Sequence, residues 1–144
     1  MRLIASLFAV LTVFVSLSFS QTADVETRLM LRQDFRQVDV VANIEIEKVE
    51  IDGEWKTQSN TVGYTIYRFT GKIVESFKGK RKNGATIIFY SFREGQPPLE
   101  DLKKNFIRFL EIKKTDEGEK RLLELENSGA AINKANLAML RKLR

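Results

Sequence analysis

Apolar and polar residues alternate with a period of two through the middle of this chain, and the alternation changes phase inside its first long run. Val38, Val40, Ala42, Ile44 and Ile46 carry the apolar set, then Val49 and Ile51 take it over. A period of two puts one set of side chains on one face of a β-strand. An odd-to-even switch requires one extra residue, so the pattern predicts a strand over Val38–Ile51 with a β-bulge near Glu47 and Lys48. Asp52 and Gly53 open what reads as a polar loop to Asn60. A second strand over Thr61–Phe77 places Tyr67, Phe69, Ile73 and Phe77 on one face, with Gly71 between them to permit close backbone approach.

Lys78 to Gly84, KGKRKNG, reads as a turn, and Ala85–Phe92 as a third strand with Ile87 and Phe89 inward. Gln96-Pro97-Pro98 stops the sheet, and Pro98 suits the first turn of a short helix in LEDLKKN. A fourth strand follows over Asn105–Ile112, carrying Ile107, Phe109, Leu110 and Ile112. A fifth covers Arg121–Glu126, around Leu123 and Leu125. Asn127-Ser128-Gly129 ends the sheet. Asn133 then caps a final helix over about 133–143, with Ile132 and Leu137 spaced as a hydrophobic staple. Ahead of the strands, Val25 and Leu29 share one helical face and Leu31 and Phe35 another, which predicts a helix over 25–36 with Asp24 as its cap.

The first twenty residues follow a different rule. Arg2 is their only charge, Leu3 to Leu17 is apolar, and Ser18 and Ser20 are small. That is the form of a secretory signal peptide, residues 1–20, cut before Gln21. The apolar run is short for a membrane span, which favours this reading over the alternative of an uncleaved membrane anchor, and export to the periplasm or the medium is expected. Residues 21–144 then form a single domain, long enough to bury a real core. Removing Arg2 lowers the net charge from +5 to +4, a weak bias toward anionic surfaces.

The chain contains neither Cys nor His. No disulfide staples the domain, and no Cys is present to carry a lipid anchor after cleavage. Ser-His-Asp and Cys-His catalysis are excluded, as is any Cys/His zinc site. The sequence also lacks a D-x-D-x-D-G loop and a Gly-rich phosphate loop between strand and helix, so no metal or cofactor is expected.

Helix, three strands, short helix, two strands, final helix: this order is the layout of a five-stranded OB-like barrel, with a sandwich of five or six strands as the alternative. Three stretches, LRQDFRQVDVVANIEIEKV, YRFTGKIVESFKGK and NFIRFLE, resemble small secreted bacterial OB-fold proteins that are distantly TIMP/netrin-like. The resemblance implies the fold alone. Animal members use an N-terminal Cys to chelate a protease's zinc and carry several disulfides. This chain has none of these, so no functional residue carries over.

Candidate binding residues fall in three groups. With Tyr67, Phe69 and Ile73 inward, Tyr64, Ile66, Arg68 and Lys72 face outward, beside Ile88, Tyr90 and Phe92. Aromatic rings interleaved with cations are how OB barrels grip oligonucleotides or oligosaccharides. The rarity of open apolar patches favours the other use of this face, as packing surface for the terminal helices. Trp55, in the predicted loop, is either a contact anchor or a cap on the barrel end. Lys78, Lys80, Arg81 and Lys82 form the densest positive cluster, which attracts a polyanion or simply keeps a hairpin tip soluble. The expected function is that of an exported, monomeric, non-enzymatic module for a protein or polysaccharide partner. The alternatives are a polyanion or single-stranded nucleic-acid binder, a purely structural envelope protein, and an enzyme using carboxylates only.

Overall fold

The computed structural model describes residues 25–126 and 128–144. The predicted signal peptide, its cleavage site, the Asp24 cap and Asn127 lie outside the described residues. The chain parts into two compact units at Gln33. Described residues of the first, 25–33, are helical and belong to α1 (residues 25–37). The second unit, Asp34–Arg144, carries all the strands.

These are β1 (Val40–Lys56), β2 (Val62–Lys78), β3 (Thr86–Glu94), β4 (Phe106–Lys114), β5 (Lys120–Glu124) and β6 (Ala130–Ala131). Two helices complete the fold, α2 (Leu99–Leu102) between β3 and β4, and α3 (Lys134–Leu143) at the end. The fold is thus mainly β. The strands neighbour one another in the order β1-β2-β3-β5-β4-β6, and β1 also pairs with β4, so the pairing rings through five strands. All pairs are antiparallel except β3 with β5, which meet as one parallel pair, Tyr90 with Leu123.

The predicted bulge is present. Ile46 pairs with Gly71 and Lys48 with Thr70, which leaves Glu47 as the extra residue. Beyond it Val49 turns back toward the core that Ile44 and Ile46 face. Gly71 is what lets β1 bend there, because a Cβ on it would stand 2.5 Å from the Glu45 carbonyl oxygen. β1 keeps β4 as a neighbour only over Val40–Asn43, and from Ile44 onward it pairs with β2 alone.

The ring encloses Val40, Ala42, Ile44, Tyr67, Phe69, Ile73, Ile87, Phe89, Leu110 and Leu122, with Leu102 of α2 packed on the same cluster. Phe69 and Phe89 stack at 4.8 Å between centroids, nearly parallel. A second buried set, Val41, Ile107 and Phe109, occupies the opposite faces of β1 and β4. β6 closes over it at Phe106 and Ile107. Asn133 caps α3 as expected, accepting from the Asn136 amide at 2.9 Å, and Leu140 of α3 is fully buried.

Three expectations are corrected. The predicted loop 52–60 is mostly strand. β1 runs to Lys56, and the turn tightens to Thr57–Thr61, with Asn60 at a φ of 60°. Pairing with β2 overrides the poor strand propensity of Asp52, Gly53 and Glu54. The phase of β5 is reversed: Leu122 and Glu124 point inward, and Leu123 outward. Finally, the sheet does not end at Gly129, because Ala130 and Ala131 add β6.

Candidate functional site

The outward face of β2 and β3 is open. Tyr64, Ile88 and Phe92 are each more than two-fifths exposed, and α3, one of the two helices expected to pack on them, does not cover them. The described contact of α3 with β2 lies elsewhere, where Arg141 forks onto Glu75 at 2.7 and 2.8 Å.

Sheet register sets this face in rows. Trp55 pairs with Tyr64, Ile66 with Phe92, Arg68 with Tyr90, and Thr70 with Ile88. Glu50 of β1 extends the Arg68 row on one side. On the other, Arg121 of β5 lies over the Tyr90 ring at 5.0 Å, close enough for cation–π attraction. A shallow groove of about 130 Å³ runs beside Tyr90, between Ile66, Phe92, Leu123 and Arg121.

The cations here are matched by carboxylates. Arg68 lies 3.7 Å from Glu50, which also binds Lys48 at 2.7 Å, and Lys72 lies 3.0 Å from Glu47. Arg121 lies 3.4 Å from Glu119 and 3.9 Å from Asp52. The Lys48 hydrogen bond, with the nearby charges of Lys48 and Arg68, holds the Glu50 carboxyl below its ordinary range. The hydrogen bond and charge of Glu47 raise the Lys72 ammonium. The face is therefore aromatic, and its cations Arg68, Lys72 and Arg121 each stand beside a carboxylate.

Trp55 neither caps the ring nor stands in a loop. It is 61% exposed near the end of β1, its ring 3.2 Å from where a Gly63 Cβ would sit and 6.2 Å from the Tyr64 ring. The basic residues are placed apart from this face. Lys78 lies fourteen residues along β2 from Tyr64, at the other end of the strand. Its ammonium donates to the carbonyls of Phe35 and Arg36 at 2.7 and 3.3 Å, where the carboxyl end of α1 concentrates partial negative charge. Lys80, Arg81 and Lys82 are exposed on the turn that follows. The structure thus brings together Trp55, Tyr64, Arg68 and Tyr90, sets Lys72 at their margin, and separates Lys78, Lys80, Arg81 and Lys82.

Sequence reasoning missed an ionic network inside the ring. Glu124, almost wholly buried, accepts from Arg108 and Arg93 at 2.6 Å each, one on either oxygen. Arg108 also donates to the carbonyls of Leu102 and Lys104, and its guanidinium lies 5.5–6.0 Å from the rings of Phe69, Phe89 and Phe106. Arg93 and Glu124 line a cleft of about 410 Å³ with Tyr64 and Phe92 in its wall. The available signal was Arg108 itself, set within the apolar run Phe106–Leu110.

Among the described residues no cluster of acidic side chains could hold a metal ion, and no helix is long and apolar enough to cross a membrane. Neither protein-family models, nor curated proteins, nor solved structures yield a match to this chain.

Proposed function

We propose that this chain is an exported, non-catalytic binding module, built as an OB-like barrel of the distantly TIMP/netrin-like kind, which recognises a protein or polysaccharide through the outer face of β2, β3 and β5. The observation that carries this reading is the uncovered row of Arg68, Tyr90 and Arg121, flanked by Ile66 and Phe92. Aromatic side chains with charged partners at their rim are the composition of recognition surfaces. The fold supports the barrel: five strands ring together, β3 meets β5 in parallel, and a short helix separates β3 from β4. The paired cations favour a protein or sugar partner over nucleic acid. The non-catalytic part is supported by Glu124, the most buried carboxylate described, whose two oxygens are both taken by arginines.

Site-specific photo-crosslinking from Phe92 in the producing cell, with an array of envelope polysaccharides probed in parallel, tests the reading. One discrete adduct or one retained glycan is expected, lost on Tyr90→Ala and Arg121→Ala while the circular dichroism stays unchanged. Absence of both, or saturable turnover that vanishes on a single Asp or Glu substitution, refutes it.

A further inference from the structure

A sizeable cavity lies away from the aromatic face, between the turn after β2 and the end of α3. It measures about 620 Å³, within the range of small-ligand sites. Lys78, Arg81, Lys82 and Arg144 contribute to its walls, and among the described residues no Asp or Glu does. Several cations elsewhere sit beside carboxylates, as at Lys48, Arg68, Lys72, Lys104, Lys113 and Arg121. Arg81 and Lys82 form no ion pair among the described residues, and Arg144 feels the charge of Glu75 without pairing with it. The neighbouring acid, Glu75, is already held by both nitrogens of the Arg141 fork.

The cations are not carried on a loose tip. The Asn83 side-chain oxygen accepts from the Ser76 amide at 3.0 Å, which folds the turn back over β2. The Gly84 amide donates to the Ile73 carbonyl at 2.7 Å, and the Ile73 amide donates to the Ala85 carbonyl at 3.0 Å. Gly79 takes a φ of 97° to make the bend, a backbone conformation that L side chains rarely adopt. Like charges gathered in a fixed concave site repel one another, and a bound anion removes that cost. Two guanidinium groups and an ammonium supply forked and single donors, which fit the several oxygens and the double charge of a phosphate.

We propose that this cleft binds a phosphoryl group carrying at least two negative charges, independently of the aromatic face. The group is presented either on a soluble molecule or on a lipid headgroup. The test is isothermal titration of the purified chain with pyrophosphate, alongside co-sedimentation with phosphatidic acid vesicles, whose phosphomonoester can carry two charges, and with phosphatidylcholine vesicles. The double variant Arg81→Gln/Lys82→Gln is compared with Lys103→Gln/Lys104→Gln, which removes the same charge from an exposed site after α2. One-to-one binding of pyrophosphate, weakened about tenfold or more by the first variant and little by the second, supports the site and a soluble ligand. Retention on phosphatidic acid vesicles alone, with the same dependence on Arg81 and Lys82, supports it and assigns the lipid source. Binding to neither probe, or binding lowered equally by both double variants, overturns it. The side chains of Arg81 and Lys82 are exposed and hold no described hydrogen bond or ion pair, and the Lys82 carbonyl that accepts from the Ala85 amide is kept in the variant, so loss of binding is read on a folded protein.

Discussion

Replacing Glu124 with Gln tests whether the ring is organised around its buried charges. The substitution keeps the shape of the side chain and removes its charge. It leaves Arg108, whose side chain is 5% exposed, without its counter-charge, with only neutral acceptors: the carbonyls of Leu102 and Lys104 and at most one amide oxygen. Arg93 is one-third exposed and recovers solvation from water, so its share of the loss is small. Breaking a buried pair at one partner costs about 3–5 kcal/mol, a large part of the roughly 5–15 kcal/mol that holds a domain together. With a urea m-value of about 1.5 kcal/mol/M, the midpoint falls by about 2–3 M. Far-UV circular dichroism is the suitable assay, because the one tryptophan, Trp55, is already largely exposed in the folded state. The double variant Arg108→Leu/Glu124→Leu removes both charges from the aromatic interior and leaves two carbonyls without their donor. It should be more stable than Glu124→Gln. A loss below about 1 kcal/mol for the single variant, or a double variant less stable than the single, refutes the reasoning.

Three further outcomes are expected. Gly71→Ala drives a methyl group to 2.5 Å from the Glu45 carbonyl oxygen and 2.8 Å from Ile44, and should cost about 1–3 kcal/mol or more in a denaturant melt. A neutral result would mean that β1 shifts freely at its bulge. Phe69→Ala and Phe109→Ala each remove a fully buried ring and should each cost about 3–5 kcal/mol, read by thermal or urea unfolding. The hydrogen bonds from Arg141, with its charge and that of Arg144, hold the Glu75 carboxyl below the ordinary glutamate range. This stabilisation is present above the unfolded glutamate value, near pH 4.3, and is lost as pH falls through the lower folded value. Glu75→Gln should therefore narrow its deficit from wild type as pH drops from 6 to 3, as followed by urea titration; a constant deficit would show that the pair does not contribute.

How far the sequence could be read depended on whether a residue's hydrophobicity matched its position. Val40, Ala42 and Ile44, and Tyr67, Phe69 and Ile73, face the ring interior as their alternation required. The phase change at Glu47 marked the bulge, and Asn133 marked the start of α3. β5 was misread because hydrophobic periodicity assigns a carboxylate to the surface. Glu124 is inside only because Arg108, sixteen residues earlier and on another strand, is inside with it. The end of β1 was misread as a loop for a related reason: Asp52-Gly53-Glu54 has no strand character of its own, and β2 supplies the pairing. As for the candidate site, alternation placed Tyr64, Arg68 and Tyr90 on one face correctly. It carried no information on cover by helices, or on Arg121 arriving from β5 over the Tyr90 ring.

The lone parallel pair between β3 and β5 makes the circuit of strands uneven in strength. Every other junction is antiparallel and longer, so this seam is where transient opening should begin, and amides near Leu123 should exchange with deuterium ahead of those in β1 and β2. The stacking of Arg121 on Tyr90 crosses that seam. A partner seated there would act as a rivet, slowing exchange along β5 without any change of shape, and protection at the seam would report occupancy even where no conformational difference could be seen.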